Sequence, residues 1–169
     1  MLFRSLTIPQ EVVRVWTDDG WGHLQDNGGV TSGQGAYYHV ALENWTSNQL
    51  TEMVPVDRVE SEVGRYIKAG ATQYLLVNTS DLRPVVMTTK AVMDVGWRGL
   101  HTTADEFYRE WSMEEFGEAA APAIAEIYRD YFAAPAQRPV SGLQLEYGDE
   151  YYHTTARWLL LSYMNGPLV

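Results

Sequence analysis

Apolar and polar positions follow two different periods along the chain, and the change comes near residue 85. Val12-Val13-Arg14-Val15-Trp16 is short, rich in β-branched residues, and runs into the turn signal Asp18-Asp19-Gly20. It predicts a strand over 12–16 that ends in a loop. A stretch holding Gly28, Gly29, Gly33 and Gly35 follows, and 36–42 reads as a second strand. Pro55 stands at the favoured first position of a helix. Val56, Val59, Val63 and Ile67 then recur at helical spacing. Asp57 and Glu60 near the start, Lys68 near the end and Gly70 just beyond suit the helix dipole and a glycine cap. Residues 73–77 form a third apolar strand, which ends in Asn78-Thr79-Ser80-Asp81.

Beyond Pro84 the helical period takes over. The pattern predicts a helix from Thr89 to Trp97, and a capping box of Thr103 and Glu106 opens another, through Phe107 and Trp111 to Gly117. Ile124, Tyr128, Tyr131 and Phe132 share one face of a third, and Leu159 to Met164 belong to a fourth. Strand, polar loop, helix, strand, polar loop is the grammar of an α/β fold with parallel strands. In a (β/α)8 barrel, chemistry collects at the C-terminal strand ends, where Asp18, Asp19, Asn78 and Asp81 fall. Three strands do not close such a barrel.

Composition narrows the partners. The 169 residues are 46% hydrophobic and 20% charged, which is ordinary for a folded domain. A net charge of -10 disfavours nucleic acid. No apolar run approaches the roughly 18 residues of a membrane span; the longest lies around Trp158 to Leu161. Met1-Leu2-Phe3-Arg4 lacks the apolar stretch of a signal peptide. With no cysteine, disulfides and thiolate chemistry are excluded, and no compartment is indicated. His23, His39, His101 and His153 have no metal-ligand spacing, so no metal is expected. Gly33-Gln34-Gly35 lacks the rest of a phosphate loop, and no cofactor is expected. Ser80 sits in no nucleophile elbow. The 11 Tyr and 6 Trp serve either a large core or sugar-stacking faces.

Three segments could carry chemistry, and each has two readings. Asp18-Asp19-Gly20-Trp21-Gly22 reads as two glycosidase carboxylates beside a sugar-stacking indole, or as a turn with a capping aspartate. Tyr37 and His39 share the strand face opposite Tyr38, so His39 lines a pocket or is a satisfied core histidine. Asn78-Thr79-Ser80-Asp81 offers hydrogen bonds to sugar hydroxyls, or forms an Asx turn. Asn44-Trp45-Thr46 and Asn78-Thr79-Ser80 also match the glycosylation sequon.

Five segments in order resemble glycoside hydrolase family 115, the xylan α-1,2-glucuronidases. Trp16-Thr17-Asp18-Asp19-Gly20-Trp21-Gly22 is similar to the family's W-x-D-D-N-W-G, and Gly33 to His39 to its glycine-rich loop leading into Y-Y-H. Val77 to Pro84 resembles V-N-V-G-D-L-K-P. Met93 to Trp97 resembles L-D-x-A-W, and Arg109-Glu110-Trp111 with Phe116-Gly117 resembles R-E-W…F-G. The likeness runs from about Pro9 to Pro139.

The resemblance implies a partial (β/α)8 TIM barrel, with 1–85 its C-terminal half and 86–169 a mostly helical region. It implies inverting release of (4-O-methyl)glucuronic acid from glucuronoxylan or xylo-oligosaccharides. Asp18 and Asp19 would be the catalytic candidates, and Trp21, Tyr37, His39, Asn78 and Asp81 would bind substrate. Relatives are often secreted. The family's catalytic glutamate comes from an earlier strand, which aligns just before Met1. The expected partners therefore include the other half of the barrel or a second copy of the chain. A non-catalytic remnant or a glycan-binding half-barrel is the alternative. Two departures stand out: Gly20 replaces the family's Asn, and the loop from Glu43 to Met53 has no arginine for a uronate carboxylate.

Overall fold

The computed structural model describes residues 9, 11–41, 51–134, 139–140, 143–146, 160 and 162–164. Three short strands, β1 (Val15–Thr17), β2 (Gly35–His39) and β3 (Tyr74–Asn78), form one sheet in the order β1-β2-β3. Both pairings are parallel, as the strand–loop–helix grammar predicts. The register puts Thr17 beside Tyr37, and His39 beside Asn78. The C-terminal ends of all three strands thus lie along one edge. Helix α1 (Val56–Lys68) connects β2 to β3, a β-α-β unit. The β1–β2 connection contains no helix. It folds back on itself through an antiparallel bridge between Asp18 and Leu24.

Helix α1 forms where the helical period appears in the sequence. Pro55, expected as its first residue, instead caps it, with ψ at 152° and no helical turn of its own. Past β3, a 3-10 turn (Arg83–Val85) leads into α2 (Val86–Arg98), then α3 (Ala104–Phe116) and α4 (Ala121–Ala133). The capping box at α3 is complete: Thr103 N–H donates to Glu106 Oε2 at 2.8 Å, and Glu106 N–H donates to Thr103 Oγ1 at 3.3 Å.

Alternation along the strands sorts the sheet into two faces. Ala36 and Tyr38 pack with Val59 and Val63 of α1 and with Val92 and Val95 of α2, joined by Trp16, Leu75 and Val77. The opposite face is open: Val15, Tyr74 and Leu76 are exposed at 40%, 47% and 46%. A second core gathers Val56, Met87 and Ala91 around Phe107, Tyr108 and Trp111 of α3 and Ala125 of α4.

One sequence expectation needs correction. The inward stripe of α4 is Ala121, Ala125, Tyr128 and Phe132, while Tyr131 is exposed and Ile124 only half-buried. Small alanines win because α3 and α4 approach closely, and a bulky side chain at 125 would overfill the gap. The region expected to be mostly helical also contains a short antiparallel pair, β4 (Pro139–Val140) with β5 (Leu143–Glu146), where no helix was expected. Leu143-Gln144-Leu145-Glu146 alternates with period two, the strand signature. Of the helix expected at Leu159 to Met164, residues 160 and 162–164 are described and helical. Residues 1–8 and 42–50, with the Asn44 sequon and most of the loop from Glu43 to Met53, lie outside the described residues. No described helix is long and apolar enough to cross a membrane.

Helix α2 has no capping side chain of its own. Glu52 supplies one from across the fold, accepting from Met87 N–H at 2.9 Å, Thr88 N–H at 3.2 Å and the Thr88 hydroxyl. Tyr131 O–H donates to the Glu52 carbonyl at 2.6 Å, which ties α4 to the same point. Burial pushes the Glu52 carboxyl above its ordinary 4.5, and the Thr88 and Met87 bonds only partly offset this. The folded chain therefore holds that proton more tightly than the unfolded chain. The stabilisation is full below 4.5 and fades as pH rises through the folded value. Glu52→Gln keeps an acceptor and removes the titration. Its urea midpoint, compared with wild type, should gain between pH 4 and pH 7; an identical pH profile for both proteins would refute this origin of the shift.

Candidate functional site at the strand ends

The strand-end edge is built on one buried carboxylate. The Asp18 side chain is fully buried. Its Oδ2 accepts from Gly22 N–H at 2.9 Å and from His39 N–H at 3.2 Å, and its Oδ1 meets His39 Nδ1. Asp18 thus closes its own loop and joins the end of β1 to the end of β2. Asp19 next to it is half-buried, and its Oδ1 accepts from Trp21 N–H at 2.8 Å and His23 N–H at 3.2 Å. This is the capping-turn chemistry that short acidic side chains perform. Asp19 is the carboxylate of the pair that remains open to solvent.

The two glycines in this loop have different reasons. Gly20 has φ of 88°, in the left-handed region where Asn is the best tolerated of the other residues. Glycine in place of the family's Asn therefore keeps the backbone while losing an amide. Gly22, at φ 86°, also lacks room: a Cβ there would sit 2.7 Å from Tyr38 Oη and 2.8 Å from Val54 Cγ1.

On β2, Tyr37 and His39 lie on the face away from the helices with ring centroids 4.5 Å apart, Tyr37 half-buried and His39 buried at the strand end, while Tyr38 is buried among the helices. Burial drives the Tyr38 hydroxyl well above its usual 10, with the Asp18 charge adding to the effect, so it stays protonated. Asn78, at the end of β3, donates from Nδ2 to Tyr37 Oη at 2.8 Å and accepts from Ser80 N–H at 2.9 Å. Both readings of that loop hold at once: Asn78 makes an Asx turn and meets a site residue. Ser80 carries φ of 56°, which accounts for the glycine at this place in the family pattern.

Asp18, Tyr37, His39 and Asn78 thus form one chain of contacts across three strand ends. Trp21 stands beside them in the loop, half-buried, with its carbonyl accepting from Arg58 Nη1 at 2.8 Å. Asp81 does not join the chain. It is exposed, and its side chain enters no hydrogen bond or ion pair among the described residues. Among the described residues no group of three acidic or histidine side chains is placed to hold a metal ion.

Sequence reasoning missed the clamp beneath the site. Glu62 Oε2 accepts from Leu24 N–H at 3.1 Å and pairs with Arg65 at 2.8 Å. Arg65 also meets the buried Asp26 at 2.5 Å and donates to the Leu24 carbonyl at 3.1 Å. Burial works against the Asp26 charge, but the Arg65 hydrogen bond and charge and the Val30 N–H outweigh it and hold the carboxyl below 3.8. The available signal was the spacing of Arg58, Glu62 and Arg65 at i, i+4 and i+7, one charged stripe of α1. Gly22→Ala should separate loop from clamp. Both the positive φ and the occupied space oppose it, so a loss of about 2 kcal/mol or more is expected from overpacking and strain. Thermal melting measures it; an unchanged Tm would mean the loop does not sit against Tyr38.

Among solved structures, the chain resembles a family GH115 4-O-methyl-alpha-glucuronidase with specificity for decorated arabinogalactans. The TM-score is 0.68 at 19% identity, and the match covers 80% of this chain and 19% of that one. The chain thus spans about a fifth of the length of that relative. At such identity the likeness speaks for fold alone. Comparison with curated proteins gives no match. The family model described as Glycosyl hydrolase family 115 matches residues 1–140, and the chain belongs to that family.

Proposed function

We propose that this chain contributes strand-end residues to the active site of an α-glucuronidase, which removes glucuronic acid or its 4-O-methyl ether from a plant polysaccharide with inversion. The observation that carries this reading is the contact chain of Asp18, His39, Tyr37 and Asn78, at the C-terminal edge of a parallel sheet in a family of glycoside hydrolases. That edge is where a (β/α)8 barrel does its chemistry, and we read the three strands as part of such a barrel.

Inverting hydrolysis needs a general acid for the leaving oxygen and a general base for water, roughly 6.5–9.5 Å apart. Of the two aspartates, Asp19 has the access the task requires, while the Asp18 carboxylate is enclosed. The second carboxyl then comes from outside these three strands. Trp21 would stack on the sugar ring, and Tyr37, His39 and Asn78 would hold its hydroxyls or carboxylate. Asp81 belongs at the outer rim, where a polymer passes. The polysaccharide is either glucuronoxylan, as the motif resemblance implies, or a decorated arabinogalactan, as with the structural relative. One observation favours a second reading, glycan binding without turnover: Asp18 and Asp19 both accept backbone N–H groups of their own loop.

The test is uronic acid release from glucuronoxylo-oligosaccharides and from glucuronate-decorated arabinogalactan. The 169-residue chain alone should release little or none. Joined to the preceding strands of a family barrel, it should release product as the β-anomer, and Asp19→Ala should lower turnover by about 10²–10⁴-fold. No release by the joined protein, with binding retained, would favour the second reading. Efficient turnover by the chain alone would show that the machinery lies within these residues.

A further inference from the structure

The geometry points to Asp18 as a positioning residue that leaves Nε2 as the one atom through which His39 gains or loses a proton. This deepens the active-site reading above and rests on it for its functional meaning. Asp18 was a candidate acid or base; its surroundings give it a different task.

The argument is one of donors and acceptors. An ionised carboxylate only accepts. Asp18 Oδ2 is occupied by the N–H groups of Gly22 and His39, and Oδ1 faces His39 Nδ1. Nδ1 must therefore carry a hydrogen, whether the ring is neutral or charged. In the neutral ring Nε2 is then bare and accepts; in the imidazolium it donates. Among the described residues no other group competes for this choice. The ring face is held by Tyr37, at 4.5 Å between centroids, and the Tyr37 hydroxyl accepts from Asn78 rather than meeting the imidazole.

The hold on orientation is double. One carboxylate binds both the main-chain N–H and the ring of the same residue, so turning the ring breaks a buried charge-assisted bond. Nε2 lies on the far side of the ring from Asp18. An atom fixed in this way can take a proton from a sugar hydroxyl or a water, or give one to a uronate, without the ring reorienting. The arrangement has the logic of an acid–base histidine oriented by a buried aspartate.

The experiment needs no substrate. Histidine labelled with nitrogen-15 in the full chain gives long-range proton–nitrogen correlations that report which ring nitrogen carries hydrogen. Four histidines keep the spectrum tractable, and His39→Gln identifies the signals of interest. In neutral His39 of the wild type, hydrogen is expected on Nδ1. Asp18→Asn retains an oxygen for the two backbone N–H groups and turns an amide N–H toward Nδ1. It should reverse the tautomer, moving hydrogen to Nε2. A wild type with hydrogen on Nε2 overturns the inference whether or not the variant folds, and so does a folded variant with an unchanged tautomer. A glucuronate-bearing oligosaccharide is then added to the wild type. Movement of the Nε2 signal supports both readings. A correct tautomer with no response to sugar, in this chain and in the joined protein alike, upholds the positioning role and overturns the uronate site.

Discussion

A single carboxylate with no exposed surface organises the functional edge of this protein. Asp18 leaves β1 and at once accepts from two main-chain N–H groups and one imidazole. Burying an ion is expensive unless its lone pairs are taken, and here three donors take them. The consequence is geometric. The loop after β1 cannot drift without exposing an unpaired charge in a dry place, and β2 cannot shift against β1 without losing the same bonds. Strand register, loop shape and the orientation of His39 are fixed together.

That arrangement needs support from below, and α1 provides it. Arg58 reaches the Trp21 carbonyl, Glu62 the Leu24 N–H, and Arg65 both the Leu24 carbonyl and Asp26. One charged stripe of a helix thus holds the connection between β1 and β2, which has no helix of its own. The adjacent stripe, Val59 and Val63, joins Tyr38 in the core. The helix that builds the core also holds the loop. Glu52 extends the principle to the helical layer, where it caps α2 and receives Tyr131 from α4.

The open side of the sheet completes the picture. Its helix-facing side is closed, while Val15, Tyr74 and Leu76 on the other side are exposed and His39 stands at the edge above them. A relative about four times as long has further chain with which to cover such a face. On the reading proposed here, the strand ends supply a held histidine, a hydroxyl–amide pair and an accessible aspartate, and further carboxyl chemistry arrives from elsewhere. Membership of a glycoside hydrolase family supports that reading, on which the choice between a xylan and an arabinogalactan backbone would depend on surfaces beyond these strands.

Much of the fold was legible in one dimension. Helix α1 and the capping box of α3 were readable because helical period and caps are local, set by residues three or four apart. The parallel pairing of β2 with β3 followed from the helix between them, since a short loop cannot join parallel neighbours, whereas β1 reaches its parallel place beside β2 through a long loop without a helix. The pairing of Tyr37 with His39 followed from the period of a strand. The α4 stripe was misjudged because the sequence shows apolarity, not the gap between two helices, and that gap selected Ala121 and Ala125. The sequence also offered Asp18 and Asp19 as equals. Only the tertiary structure separated them, because burial and partner choice depend on contacts 21 residues apart, such as Asp18 with His39. By itself the sequence determined which elements form and which polar residues end the strands. The packed chain decided which of those residues are enclosed and which stay open to a ligand, because desolvation belongs to surroundings that no local pattern encodes.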